Sequence, residues 1–546
     1  MESGQLPNLA RLVREGSFGL LRSTTPPISP VAWATFTTGK NPGKHGVFDF
    51  RKVGTRRDFV GTSSRRGRSL WQLLSAAGRD VGVMNLPFSY PPESVRGFFV
   101  SGYGTPGKKS PYTHPLELRE EIDQACPGYK IHVHALKYDY WRRFDRYVRQ
   151  LRSLVESRTC LARHLIGTRP WDVAMVAYFA TDTVQHIAWH LADRTHPEYD
   201  PKAAARHGNP ILELYRRVDA AVGQLVEDAL SLGRPMLVFV LSDHGGAAVR
   251  GYISLNAWLE REGLIHYRRK SLPALWGRLL TLLGISRHRG LMVHGKRACA
   301  GLESRVPFLL RVLGALPGWI FADGPARIFE EIDWSRTQAY AYGDYGQVHL
   351  NVKGETPHGI VERGEEYQML LRRIRQGLKE LVDTETGGRP VEDCVRLQEL
   401  YTGPYRERAA DLLVISRSGY VLESIHDRRK KVVGRERAPT RKYSGMHRPE
   451  GLFIAWGPIV APGRVQGARL MDIAPTILYA AGCPVPTDMD GRILEELFAE
   501  EFWAGHPPRY TEPASEGKPE GPEEPIYSER EAKEMEERLR SLGYLG

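Results

Sequence analysis

Pro235-Met-Leu-Val-Phe-Val-Leu-Ser-Asp-His-Gly-Gly246 is the stretch on which the fold turns. From Pro235 to Leu241 it is an unbroken apolar run. Such a run suits a strand buried on both faces of a parallel sheet. The run ends on a carboxylate and an imidazole, Asp243 and His244. Burying a charge at a strand tip is costly without a partner, and a divalent cation is one partner that suffices. Asp243 as a helix N-cap is the plainer alternative. Gly245 and Gly246 allow a sharp turn close to the tip.

The same arrangement recurs upstream. Asp172-Val-Ala-Met-Val-Ala-Tyr178 reads as a second buried strand and Asp80-Val-Gly-Val-Met84 as a third. Each follows a helical stretch; residues 211–232, for example, repeat apolar side chains at helical spacing before the Met236 strand. Alternating helices and buried strands predict an α/β fold, a central, largely parallel sheet sandwiched by helices. Ligands of such sheets bind beyond the carboxyl ends of the strands. Asp182 and His186 follow the second strand at a spacing of four, which on a helix puts both on one face, able to grip one metal. Read plainly, Asp182 favours the helix dipole and His186 is a surface histidine. His447 lies in Tyr443-Ser-Gly-Met-His447, a glycine-containing loop ahead of the strand at Leu452.

Ser29 precedes a helical pattern in Pro27-Ile-Ser-Pro-Val-Ala-Trp33. A hydroxyl at a helix start lies near free N–H groups that favour anions. Beside a metal it becomes a nucleophile. Thr24, Thr25, Thr35, Thr37 and Thr38 compete, but position favours Ser29. Lys40 and Lys44 close the segment as candidate phosphate contacts, with His45 read as structural.

The 546 residues exceed what one core usually serves. Residues 1–251 are expected to form the first part of a catalytic core. Residues 252–442 would be an inserted cap, helical over 272–321 and α+β over 336–420. Residues 443–506 would complete the core. The Pro, Glu and Gly content of 507–525 marks a linker, and a final helix is capped by Ser528 and Glu531, with Ala532, Met535, Leu539 and Leu542 on the face that docks. At 41% hydrophobic and 26% charged residues the chain is globular.

A net charge of +12 is spread along the chain with no nucleic-acid motif, so a field that gathers anionic phosphate esters is expected and nucleic acid is not. The basic, leucine-rich 272–321 stretch could touch a membrane surface; an ordinary lid is the preferred reading. Five scattered cysteines suggest no disulfide framework and a reducing, cytoplasmic setting. No secretory leader is expected from the opening Met-Glu-Ser-Gly.

At these residues the chain resembles the alkaline-phosphatase superfamily, and within it the type I phosphodiesterase/nucleotide pyrophosphatase family. The resemblance rests on residues 29–46, Asp182-x-x-x-His186, Ser-Asp-His-Gly at 242–245, and Gly-x-His447. It implies an alkaline-phosphatase-like fold and two divalent metal ions, zinc in this family. One would be held by Asp182, His186 and His447, the other by Asp243, His244 and the Ser29 oxygen. Ser29 would attack phosphorus in line, giving a covalent phosphoryl-enzyme. The family also has a first strand, ending in an aspartate for the second metal. No aspartate precedes Ser29 here. Either the native product starts upstream, which is the expectation, or a strand and a ligand have been lost. The family's asparagine three residues after the nucleophile is replaced by Ala32, which weakens the case for nucleotide substrates. The alternatives are a catalytically weakened relative serving as a binding or scaffold protein, a sulfatase-like enzyme, and a phosphomonoesterase or mutase. Against a sulfatase, the Ser29 segment lacks the arginine of that group's motif.

Overall fold

Val81–Met84 is buried at every residue and pairs in parallel with Gly97–Val100 on one side and Val173–Val176 on the other. In this computed structural model residues 4–52, 58–133, 144–268, 331–356, 358–424, 431–435, 444–513 and 526–541 are described. The helical part expected at 272–321 lies outside them, as does most of the expected linker. The short strand Thr113–His114 adds antiparallel to Gly97–Val100 and completes a four-stranded sheet.

A second four-stranded sheet has the order Gly463–Val465, Ser17–Arg22, Glu450–Trp456, Val238–Leu241. Its only parallel pairing is Ser17–Arg22 with Gly463–Val465; the other two are antiparallel. The expectation of one largely parallel sheet is therefore corrected to two mixed ones. The cause is long-range. The chain leaves along Val238–Leu241 and Gly245–Ala248, and returns alongside both, antiparallel, as Gly445–Arg448 and Glu450–Trp456.

The two sheets share their covering layers. Val173 and Met175 of one, and Phe239 and Leu241 of the other, pack against a single cluster that includes Trp71, Ile473 and Leu478. On the opposite face the helix Pro210–Leu230 serves both. Its Leu225 and Ala229 belong to a cluster on which Ala174 and Val176 pack, and its Val222 packs with Val238 and Val240 against Leu9, Leu12 and Ile454. Yet Val173–Val176 and Val238–Leu241 do not pair with each other among the described residues. All eight of their residues are only half-buried, unlike those of Val81–Met84. Among the described residues each is therefore an edge strand of its sheet.

Between Gly251 and the return at Gly445 the chain builds further sheets. Strands Ala339–Tyr342, Gln347–Leu350, Val391–Val395 and Leu412–Ser416 form an antiparallel sheet. The helix Glu365–Lys379 seals it through Tyr367, Leu371 and Ile374, over a core that includes Trp258. At the other end of the chain, Met535 and Leu539 of the helix Glu529–Ser541 are buried beside Phe50 and Tyr103. Arg538 donates to the carbonyls of Thr105 and Pro106, and Ser528 and Glu531 cap the helix start.

The reading of the cysteines is also corrected. Cys126 and Cys160 form a disulfide across 34 residues of sequence, where Leu118–Ala125 packs on Phe144–Thr168. The argument for a reducing compartment falls with it, because such bonds persist in oxidising ones. Among the described residues no helix is long and apolar enough to cross a membrane.

Candidate metal centre

Ser29 opens the helix Ser29–Thr38, in which nine residues are buried. A helix apolar all round must sit inside a protein, and this one is wedged in the core until Gly39 ends it at φ 65°. Ile28, not Ser29, occupies the N-cap position, and no side chain caps the helix. The Ser29 hydroxyl is thereby left for other partners. Its Oγ is 3.1 Å from His244 Nε2 and lies close enough to the Asp243 carboxylate to favour its charged form.

Asp182 lies in the first turn of the helix Ala180–Ala192, and His186 is one turn on. His447 comes from the strand Gly445–Arg448, paired with Gly245–Ala248 directly after His244. Five side chains thus meet beyond the carboxyl ends of Val173–Val176 and Val238–Leu241. Asp182 Oδ1 is 3.5 Å from His186 Nε2, 3.2 Å from His447 Nε2 and 3.9 Å from His244 Nε2. The two Nε2 atoms of His186 and His447 are 3.0 Å apart. His244 Nε2 is 3.4 Å from Asp243 Oδ2, and the His244 and His447 rings stack with centroids at 3.5 Å.

These spacings can be tested against a metal. Donors 2.0–2.2 Å from a tetrahedral ion lie about 3.3–3.6 Å from one another. The Asp182–His186–His447 triangle, with edges of 3.0, 3.2 and 3.5 Å, is close to that. These three side chains are the one group among the described residues with metal-holding geometry. Asp243, His244 and Ser29 form a looser second set.

The imidazoles are also oriented for ligation. His186 Nδ1–H donates to the Gly445 carbonyl at 2.8 Å, and His447 Nδ1–H to that of Pro27 at 2.9 Å. His244 Nδ1 faces the Gly245 carbonyl at 3.1 Å. In each ring a backbone oxygen takes the Nδ1 proton, so the Nε2 lone pair points into the cluster; this is how metal-binding histidines are usually fixed.

Burial alone would raise Asp182, but His186 and His447 outweigh it and hold the carboxyl well below the usual range. Burial likewise opposes the charged form of His186, and the Asp182 carboxylate reverses the balance and raises it. His447 is pushed down to about 3 by burial and then by His244. Asp243 is raised, chiefly by burial. A buried carboxylate disfavoured as an anion, facing a serine hydroxyl and an imidazole, is a place where a cation would be welcome.

Other expected contacts are placed elsewhere. Lys40 and Lys44 sit past the far end of the ten-residue serine helix, about 15 Å from Ser29. Lys40 is paired with Asp488, and Lys44 with Asp490 at 2.6 Å. These ion pairs tie the serine-helix end to the 488–490 segment. His45, fully buried, bonds Thr35 Oγ1 at 2.9 Å and the Val47 N–H, a structural role. The sequence reading missed Tyr345, whose ring lies 5.6 Å from that of His447. It also missed His190, His196 and Ser444 behind His186. The i, i+4 series Asp182, His186, His190 was a signal for one of them.

Among solved structures the chain is similar to human ectonucleotide pyrophosphatase/phosphodiesterase 5, at 9% identity over 89% of this chain and 92% of that one, with a TM-score of 0.43. No curated protein sequence matches it. The model of the type I phosphodiesterase/nucleotide pyrophosphatase family matches residues 1–297, a span that holds Ser29, Asp182, His186, Asp243 and His244 but not His447. The match covers more than half of the 546 residues, and the chain belongs to the type I phosphodiesterase/nucleotide pyrophosphatase family, as a phosphodiesterase-type hydrolase.

Proposed function

We propose that the protein hydrolyses phosphodiesters with Ser29 as nucleophile at a site for two zinc ions. Asp182, His186 and His447 would hold one ion; Asp243, His244 and the Ser29 oxygen would hold the other. The observation that carries the reading is the triangle of Asp182, His186 and His447, with imidazole protons turned outward to backbone carbonyls. Ions bound there would ease ionisation of the serine and offset the charge gathering on the phosphoryl oxygens.

The chain's own part can be followed atom by atom. Asp243, within hydrogen-bond reach of the hydroxyl, orients the Ser29 O–H. The Ser29 Oγ–P bond forms as its hydroxyl proton passes to solvent and the ester P–O bond on the opposite side breaks, and the departing alkoxide takes a proton from solvent. Water then attacks the phosphoserine, releases a monoester and restores the hydroxyl. The buried helix behind Ser29 fixes the nucleophile, so that little freedom is lost when a substrate arrives.

We infer that the edge strands Val173–Val176 and Val238–Leu241 could take one more extended strand between them. Such a strand would end beside Asp243 and Ser29, where a further carboxylate would complete the second set of ligands. This also supports the weaker alternative, a binding relative with low turnover, for the chain as it stands. On either reading the first set holds its ion more tightly than the second.

Hydrolysis of bis-p-nitrophenyl phosphate by the wild type and by Ser29→Ala tests the proposal. The variant should lose turnover while keeping the tight ion. Unchanged turnover would remove Ser29 from the chemistry.

A further inference from the structure

Behind the cluster, on the side away from Ser29, one residue is gripped from several directions. Ser444 donates its backbone N–H to the His186 carbonyl at 2.6 Å. Its own carbonyl accepts from Val249 N–H at 2.8 Å and from His196 Nε2–H at 3.1 Å. Its hydroxyl faces the His186 carbonyl at 3.4 Å and His190 Nδ1 at 3.0 Å. The next residue, Gly445, accepts from His186 Nδ1–H. His190 and His196 are both buried, at 5% and 3% exposure.

The proton positions are mutually consistent. The Ser444 hydroxyl lies between the His186 carbonyl and His190 Nδ1, within hydrogen-bond reach of both. His196 donates from Nε2 to a carbonyl, and its Nδ1 accepts from the Glu198 N–H at 3.0 Å. The His196 ring is therefore neutral with a fixed tautomer. His190 is one turn beyond His186 on the same helix; His196 follows the helix end. Ser444 is three residues before His447 on the returning strand.

We propose that His190 and His196 are positioning residues for the metal centre. They lock Ser444, and through it set the strand that carries His447 at the distance from His186 that one ion requires. The helix and the strand come from parts of the chain some 250 residues apart. Two metal ligands on such remote elements keep their spacing only if something fixes one element against the other. The inference rests on the proposed metal site, and it concerns how that site is held.

The test is zinc affinity of the full chain, measured by chelator competition on the wild type and on His190→Ala, His196→Ala, His190→Asn and His196→Gln. An asparagine amide places a donor near Nδ1 and a glutamine amide near Nε2, so the last two variants keep the bond that each ring makes. The alanine variants should bind the tighter ion roughly tenfold more weakly; the amide variants should stay within about threefold of wild type. Amide hydrogen exchange at 444–448 should speed up in the alanine variants and not in the amide ones. If an alanine variant does not fold, Ser444→Ala, which removes only the hydroxyl, should still weaken zinc binding severalfold. Lower thermal stability with unchanged zinc affinity would overturn the proposal and leave these histidines as packing. A wild type that binds no zinc would instead overturn the metal site itself.

Discussion

Gly445→Ala probes the site without touching a ligand. Gly445 lies where the strand Gly445–Arg448 crosses the helix Ala180–Ala192. A Cβ there would fall well inside contact distance of the Gln185 carbonyl oxygen and 2.9 Å from Trp189 Cε3. A backbone oxygen cannot rotate away, so strand and helix must part by about 1 Å to restore ordinary contact. His186 rides on that helix and His447 on that strand. Their Nε2 atoms would separate from 3.0 Å to about 4 Å, beyond the spacing of about 3.3–3.6 Å that one tetrahedral ion allows. The expected results are a loss of about 1–3 kcal/mol of stability from overpacking, at least tenfold weaker zinc binding, and kcat/KM down roughly a hundredfold. Denaturant melts, chelator competition and hydrolysis of bis-p-nitrophenyl phosphate measure the three. A folded Gly445→Ala protein with wild-type zinc affinity would refute the claim that helix–strand spacing sets the centre.

Two further outcomes concern stability. Burial raises the Asp49 carboxyl from 3.8 to about 6, against the opposing Phe50 N–H and Arg51. With the folded value above the unfolded one, the folded state holds the proton more tightly, so this group's contribution is fully present below about pH 4 and is lost as pH rises to 6. The shift corresponds to about 3 kcal/mol. Asp49→Asn should be more stable than wild type at pH 7 by up to that amount, with the difference closing towards pH 4; equal melts at pH 7 would count against a buried, reluctant carboxylate. Removing the Cys126–Cys160 bond as the double alanine variant frees a loop of 34 residues and should cost up to about 4 kcal/mol on the chain-entropy view. A non-reducing melt that does not move would show that the two cysteines are not joined.

The site was more legible in the sequence than the sheet. Asp182 and His186 carry their relation in their spacing. Asp243 and His244 show theirs by ending an apolar run. Both are local signals, and the structure brings these residues together with Ser29 and His447. Strand pairing is not local. Nothing near Val238–Leu241 tells that its neighbour is Glu450–Trp456, running the other way after some 200 intervening residues. The ion pairs of Lys40 and Lys44 are hidden for the same reason, since their partners Asp488 and Asp490 lie more than 440 residues on. Cys126 and Cys160 likewise meet only because two helices pack. His190 and His196 read as ordinary polar residues until Ser444 is seen between them.

The most direct measurement is crystallographic: anomalous scattering at the zinc edge from crystals grown with saturating zinc. The account predicts a strong peak about 2.0–2.2 Å from Asp182, His186 and His447, and a weaker one near Asp243, His244 and Ser29. A map with no peak at the first position, or with the ion bound elsewhere on the chain, would contradict it.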